Sequence, residues 1–140
     1  MKNERGFTLI EILLVVVIIA ALSAMVIPRL AGRGETAKIE IAKVDIETNI
    51  ASALKLYELD NGTYPTTEQS LNALLKKPSS APMPTAWNGP YLEKAPLDPW
   101  GRPYQYAYPG THGDAYDLFS YGPKGEADEK GRIGNWKQAE

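Results

Sequence analysis

Few residues of this chain have side chains that could perform chemistry. The 140 residues include no cysteine, which removes disulfides, thiolate nucleophiles and thiolate metal sites. The single histidine, His112, lies in the turn-like segment 109–113, and the sequence shows no spacing typical of a nucleophile–base pair or of metal ligands. A net charge of −2 without a broad basic face argues against nucleic acid as a partner. We therefore expect neither a catalytic site nor a nucleic-acid interface.

One ionisable residue, Glu11, has an unusual position. It is the only charge between Phe7 and Ile27, a run of 21 mostly apolar residues. As a helix this run would extend about 30 Å, enough to cross the hydrocarbon core of a membrane. A carboxylate inside a membrane helix is costly and usually has a function. The plainer alternative is that Glu11, one helical turn from the start of the run, reaches the membrane interface.

The six residues before this run are charged and end in Gly6. Glycine lets a backbone enter a narrow protease cleft, so a cut after Gly6 would give Phe7 a free amine. Stagger between subunits would then bring that amine against Glu11 of a neighbour, and pairing two charges in a low dielectric would set the register of an assembly. A secretory signal cleaved after Ala-Leu-Ser-Ala at 21–24 is a rival interpretation, but the apolar run is longer than such signals have.

The spacing of apolar residues predicts that the helix continues as far as Asp60-Asn61-Gly62. These residues recur at three- and four-residue steps: Ile39, Ala42, Ile46, Ile50, Ala53, Leu54 and Tyr57. Gly62 suits the left-handed position that follows a helix. Pro28 removes a backbone hydrogen bond within this pattern and predicts a kink. The kink would be either a point that stretches in an assembly or a plain boundary between two helical halves.

The C-terminal half predicts a short helix, an ordered loop and a small antiparallel sheet. Thr66 and Gln69 have the spacing of a capping box, and three leucines after them would form the buried side of a short helix: Leu71, Leu74 and Leu75. The segment 78–103 is rich in prolines and has aromatic residues spaced through it, which favours an ordered loop. Alternation predicts two half-buried strands, with Tyr104, Tyr106 and Tyr108 in the first and Tyr116, Leu118 and Ser120 in the second. The fold class is therefore α+β.

The motif Gly6-Phe7-Thr8-Leu9-Ile10-Glu11, followed by an apolar run, resembles the processing signal of type IV pilins and type II pseudopilins. In that family a prepilin peptidase cuts after the glycine and methylates the new phenylalanine amine, and the glutamate is needed for assembly. The resemblance assigns these roles to Gly6, Phe7 and Glu11. It also implies a type IV pilin-like fold, with a cleaved leader over 1–6, a transmembrane and filament-core helix over 7–28 and a periplasmic domain over 29–140.

The C-terminal domain is similar to the major pseudopilins of type II secretion systems, also called the general secretion pathway protein G family. The segments that carry the likeness are Leu59–Gln69, Asp98–Gly101 with Tyr104, Ser120–Gly122 and Ile133–Trp136. Ordinary type IV major pilins usually close a C-terminal loop with a disulfide, which this chain lacks the cysteines to form. A small departure from the family is Ser70, where glycine is frequent.

A larger departure concerns calcium, which the family usually binds in the loop after Ser120–Gly122. Three positions where acidic ligands are expected hold other residues: Lys124, Gly131 and Arg132. Calcium takes six to eight oxygen ligands, mostly anionic. We therefore expect no cofactor, with ion pairs between the cations and loop carboxylates holding the loop. The alternative, calcium retained by the Tyr121 carbonyl with Glu126 and Glu129, stays open.

The resemblance implies a structural subunit rather than an enzyme. The expected partners are further copies of the chain, prepilin peptidase, an inner-membrane assembly platform with its cytoplasmic ATPase, minor pseudopilins and the membrane. The expected location is the inner membrane, crossed once with the N-terminus in the cytoplasm, and then a periplasmic filament that drives export of folded proteins. Two alternatives stay open. One is a type IV pilus subunit for adhesion, DNA uptake or motility, and the other is a membrane-anchored enzyme, which would need neither Gly6 nor Glu11.

Overall fold

A long helix leads into a small domain of short elements. The computed structural model describes residues 6–137, with the backbone alone for 26–32. Helix α1 spans Leu9–Val44, a π-helical turn spans Asp45–Asn49, and helix α2 spans Ile50–Asn61. The chain divides into two compact units, Met1–Thr36 and Ala37–Glu140. Because α1 continues through position 28, Pro28 does not end the helix, and the kink expected there stays a prediction.

The first unit presents apolar side chains outward. From Phe7 to Met25 the large apolar residues are exposed, from 48% at Val15 to 86% at Leu9. In the part of the chain that the structure describes, no helix is long and apolar enough to cross a membrane. The transmembrane segment predicted over 7–28 is therefore not confirmed.

The core of the second unit lies along one face of the helix, as the spacing predicted. Six of the seven predicted positions are buried, at 3% exposure or less: Ala42, Ile46, Ile50, Ala53, Leu54 and Tyr57. Ile39 is only half-buried. The opposite side of the core comes from later residues, chiefly Leu74, Tyr104 and Leu118. Since burying one large apolar side chain contributes about 1.5–3 kcal/mol, this shared core fixes the helix against the sheet.

The helix ends where the sequence predicted, through glycine at a left-handed position. Gly62 has φ 78° and its amide donates to the Glu58 carbonyl at 2.7 Å. The Asn61 side chain also bonds to the last turn of the helix by donating to Tyr57 O at 2.9 Å.

The π-helical turn at 45–49 was not predicted. There Asp45 accepts hydrogen bonds from Asn49 Nδ2 at 2.7 Å and from the Tyr104 hydroxyl at 2.9 Å. The second of these bonds comes from a residue 59 positions away. A residue so distant in sequence leaves no local pattern, which is why spacing alone predicted an unbroken α-helix.

The segment after α2 confirms the capping box, and the short helix expected there is a 3₁₀ helix. Thr66 Oγ1 accepts from the Gln69 amide at 3.2 Å, and Gln69 Oε1 accepts from the Thr66 amide at 3.1 Å. The box closes a turn, and only a 3₁₀ turn over Leu71–Leu74 follows. The short helix begins later than the sequence predicted, because Ser70, with φ 53°, interrupts the helical path after the box. Leu71 and Leu74 are nevertheless buried as expected, whereas Leu75 is half-buried.

The ordered loop and the antiparallel sheet are both present. Trp87 Nε1 donates to Ala73 O at 2.9 Å, and the Tyr91 hydroxyl donates to Asp60 Oδ2 at 2.7 Å, so aromatic residues anchor the loop to both helical segments. Strands β1 (Gln105–Ala107), β2 (Asp117–Ser120) and β3 (Ile133–Gly134) form one antiparallel sheet in the order β1-β2-β3.

The strands differ in two ways from the prediction. Tyr104, Tyr108 and Tyr116 flank β1 and β2 rather than belonging to them. Strand β3 was not predicted, because two residues are too few to show alternation. It is held in part by Asn135, whose side chain accepts from the Leu118 amide at 2.8 Å and donates to Tyr116 O at 2.8 Å.

Candidate functional site

The predicted processing and assembly residues lie at the start of α1. Thr8 O accepts from the amides of Glu11 at 3.1 Å and Ile12 at 3.2 Å, and Thr8 Oγ1 also accepts from the Glu11 amide at 3.3 Å. Thr8 therefore caps the helix, and Glu11 lies in its first turn, where a negative charge interacts favourably with the helix dipole. This second role of Glu11 was missed, although an acidic residue in the first turn after a threonine is a sequence signal for the start of a helix.

Gly6 and Phe7 precede the helix and contribute little to the fold. A Cβ added at Gly6 would meet no described atom within 4 Å, and Phe7 is 80% exposed. Glycine is therefore not required at position 6 by packing. Any requirement for it must come from an interaction outside the folded chain.

The loop expected to bind or to replace calcium closes on itself. A Cβ added at Gly122, which has φ 71°, would collide with the Gly131 carbonyl, so the two ends of the loop pass in direct contact. Lys124 Nζ lies 3.5 Å from Asp128 Oδ2, and Arg132 Nη2 lies 3.7 Å from Glu129 Oε1. The ion pairs expected in this loop are therefore present.

The loop carboxylates do not converge in the part of the chain described. Across residues 6–137, no three histidine, aspartate or glutamate side chains form a group that could hold a metal ion. Glu126 is exposed, and the Glu129 side chain is 82% exposed. The Tyr121 ring instead packs against Phe119 at 5.4 Å and under the Arg132 guanidinium at 5.6 Å. These residues fit ion pairing better than they fit a calcium shell. That no calcium binds here stays a prediction.

Beside this loop lies a buried carboxylate, Asp98. Asp98 is 4% exposed. Its carboxylate accepts hydrogen bonds from the Trp100 amide at 3.1 Å, the Arg102 amide at 2.8 Å and the Ser120 hydroxyl at 2.6 Å. Ser120 Oγ in turn accepts from the Gly122 amide at 3.0 Å. Two of the segments singled out in the sequence, at 98–101 and 120–122, thus meet at one carboxylate. The sequence identified both segments but not their contact.

A second buried carboxylate, Asp117, organises the turn that contains His112. Asp117 Oδ2 accepts from the Thr111 hydroxyl at 2.7 Å and from His112 Nδ1 at 2.9 Å. Burial raises the pKa of Asp117, but the hydrogen bonds donated by Thr111 and His112 outweigh it and leave the pKa below its usual value. The imidazole also stacks on Trp136 at 3.9 Å. Because His112 Nδ1 donates its hydrogen to the Asp117 carboxylate, this nitrogen is not placed to take a proton from the Thr111 hydroxyl.

The long N-terminal helix, packed in its second half on a loop and a small antiparallel sheet, defines a type IV pilin-like protein. A crystal structure of the major pseudopilin from the type 2 secretion system of enterohaemorrhagic Escherichia coli matches with a TM-score of 0.69 and 40% identity, over 78% of this chain and 95% of that chain. Residues 29–136 match the family described as type II secretion system, protein G, and residues 1–27 match the prokaryotic N-terminal methylation motif. The chain belongs to the type II secretion system protein G family.

Relatives over nearly the whole length agree. The type II secretion system core protein G of Pseudomonas aeruginosa is 51% identical over 96% of both chains. That of Dickeya chrysanthemi is 47% identical over 96% of this chain and 88% of its own. The chain is accordingly a structural subunit of a type II secretion pseudopilus, and the type IV pilus alternative is not favoured. The family is a structural one, which fits a protein that is not an enzyme.

Proposed function

We propose that this subunit is inserted in the inner membrane with its N-terminus in the cytoplasm, is cut after Gly6 and is methylated on Phe7 by prepilin peptidase. It then polymerises into a periplasmic filament that drives folded proteins across the outer membrane. An assembly platform, its cytoplasmic ATPase and minor pseudopilins are the further partners. The match of residues 1–27 to the methylation motif supports the processing step.

The observation that carries the proposal is the exposed apolar surface of the first unit. Exposed apolar patches of this extent mark membrane or protein contacts rather than a surface in water. From Phe7 to Met25 the large apolar side chains face outward around the whole helix. A helix that is apolar all round is buried somewhere, either in lipid or among neighbouring helices. In this proposal the helix is buried in lipid before assembly and among copies of the same helix in the filament.

We propose that Glu11 sets the register between neighbouring subunits of this assembly. An unpaired carboxylate among apolar helices is costly, and the amine of Phe7 on a neighbouring subunit would neutralise it. The capping by Thr8 offers a competing explanation, in which Glu11 only helps the helix to begin. The two explanations can be separated, because register depends on the charge of Glu11 whereas the cap depends on the hydroxyl of Thr8.

Two substitutions separate these roles. Glu11→Gln leaves the bond from the residue 11 amide to the Thr8 hydroxyl in place and removes the charge, so we expect filaments and secretion to be lost. Thr8→Ala removes the hydroxyl cap at a cost of about 1 kcal/mol to the helix and keeps the charge, so we expect filaments to persist. Pilus extension would be scored by electron microscopy of sheared filaments and secretion by the extracellular proteome. The reverse pattern would show that Glu11 acts through the helix start.

Processing has its own test at Gly6. Gly6→Val should block cleavage and leave a subunit longer by the leader, because valine adds bulk where a protease needs access. The fold is not disturbed by this change, since a Cβ at position 6 meets nothing within 4 Å. Gly34→Ala is a matched control, since a Cβ at position 34 also meets nothing within 4 Å, and it should be cleaved normally. Normal cleavage of Gly6→Val, read by intact mass, would contradict the assignment.

We also propose that the subunit works without calcium. The support is the pairing of Lys124 with Asp128 and of Arg132 with Glu129. Calorimetric titration of the full chain in detergent should show no calcium site tighter than millimolar. A tighter site that is lost in Glu126→Gln would establish the alternative.

Deletion of the protein tests the function as a whole. Loss of several folded proteins from the medium, with their accumulation in the periplasm and recovery on complementation, is the expected result. Unchanged secretion together with a loss of twitching or DNA uptake would assign the chain to a pilus instead.

A further inference from the structure

The loop between Tyr121 and Arg132 is built around the side chain of a residue outside it. The Arg102 guanidinium donates through Nη2 to the Gly122 carbonyl at the start of the loop. A Cβ added at Gly125, where φ is 81°, would lie 2.7 Å from Arg102 Nη1. The guanidinium therefore lies directly against the loop backbone at two positions, and a larger residue at the second would displace it.

The same guanidinium faces the buried carboxylate beside the loop. Arg102 Nε lies 3.6 Å from Asp98 Oδ2, and the Asp98 side chain has no exposed surface. This Nε is itself buried and makes no hydrogen bond to any residue between 6 and 137. The Trp100 ring lies near the guanidinium, with the Arg102 Cζ 5.9 Å from its centroid. Arg102 therefore connects a buried anion to a loop carbonyl and is partly shielded from water.

A buried carboxylate is costly unless hydrogen bonds and an opposite charge compensate it. The neutral donors Trp100 N and Ser120 Oγ supply hydrogen bonds to Asp98 but no charge. The three cations within the loop lie elsewhere. Lys124 is 78% exposed beside Asp128, Arg132 lies beside Glu129, and Lys130 is exposed. The charge that compensates Asp98 is that of Arg102.

We propose that the Arg102 guanidinium is the resident cation of the 121–132 loop and holds it in place of any metal ion. It neutralises Asp98 on one side and fixes the Gly122 carbonyl on the other, which ties the turn at 98–102 to the end of β2. The loop ion pairs Lys124–Asp128 and Arg132–Glu129 are peripheral to this contact. Arg102 is a positioning residue, and its charge and fork geometry both contribute, because a guanidinium can bond the carbonyl and face the carboxylate at once.

Amide hydrogen exchange of the full chain in detergent with EDTA tests this proposal. The loop is held by the hydrogen bonds Gly125 N to Gly122 O, Asp128 N to Gly125 O and Gly131 N to Asp128 O. The unaltered protein should protect these amides without calcium. Arg102→Met keeps the length of the stem and removes the charge and donors, and should speed exchange in 122–132 by about tenfold or more. Amides of Leu118 and Asn135 in the sheet should change far less.

Two further variants make the result specific. Arg102→Lys keeps the charge against Asp98 but loses the fork, so its exchange should lie between the unaltered protein and Arg102→Met. Lys124→Gln removes a loop cation that is exposed, and its exchange should stay within about twofold of the unaltered protein, as expected for a surface pair. If Arg102→Met unfolds the domain, the comparison of Arg102→Lys with Lys124→Gln decides. Equal exchange in those two variants, or loop protection that appears only when calcium is added, would overturn the proposal.

Discussion

Replacing Ser70 with glycine is expected to stabilise the second unit. Ser70 has φ 53° and ψ −166°, and among residues 6–137 it is the only residue other than glycine with a positive φ. A positive φ combined with ψ near 180° is almost restricted to glycine, because the Cβ of any other residue meets its own backbone. Such a conformation costs roughly 1–3 kcal/mol.

Two smaller effects oppose the gain. Glycine loses about 0.5–1 kcal/mol more conformational freedom on folding than a residue with a side chain. Ser70 Oγ also accepts from the Asn72 amide at 3.3 Å, and losing this long, exposed hydrogen bond costs about 0.5 kcal/mol. With strain near the middle of its range, the net gain in the free energy of unfolding is about 0.7 kcal/mol, or a rise of about 3–5 °C in Tm for a domain of this size.

Equilibrium denaturation of the full chain in detergent, followed by tryptophan fluorescence, measures this difference. Ser70→Ala is the matched control. It loses the same hydroxyl but keeps the Cβ and the strain, so it should be less stable than the unaltered protein by about 0.5 kcal/mol. The two variants should therefore move in opposite directions. If both lose stability equally, the backbone at position 70 carries no strain and the reasoning fails.

Three further predictions concern stability in the same assay. Tyr104→Phe should cost about 1–2 kcal/mol, because Asp45 loses the 2.9 Å hydrogen bond donated by the buried hydroxyl. Gly62→Ala should cost about 1 kcal/mol through its φ of 78° alone, since a Cβ there meets nothing within 4 Å. The pKa of Asp117 lies below its ordinary 3.8, because hydrogen bonds from residues 111–112 outweigh the effect of burial. Its contribution to stability should thus be complete above about pH 4 and fade as the pH falls further, and Asp117→Asn should remove that pH dependence.

Local patterns in the sequence predicted the features that local physics controls. The buried face from Ala42 to Tyr57 follows from helical spacing, and the end of the helix follows from the freedom of Gly62 to take a positive φ. The reciprocal bonds between Thr66 and Gln69 follow from a spacing of three residues. In each case the partners lie within a turn or two of one another.

Predictions were wrong or incomplete where partners are distant in sequence. The π-helical turn receives a bond from Tyr104, and strand β3 exists through its pairing with β2. His112, taken as an isolated turn residue, is stacked on Trp136, which lies beyond strand β3. No spacing rule connects these pairs, since the chain between them is folded by other contacts.

The sequence by itself determined the class of this protein and predicted which residues serve processing and assembly. Gly6, Phe7 and Glu11 lie at the start of a helix, where neighbours in sequence are neighbours in space. Only the tertiary structure decided what holds the C-terminal loop. The sequence directed attention to the charges within the loop, whereas the fold brings Arg102 and Asp98 to it from the preceding turn. A buried charge is compensated by whichever opposite charge the fold brings near, and that choice is a property of three-dimensional packing.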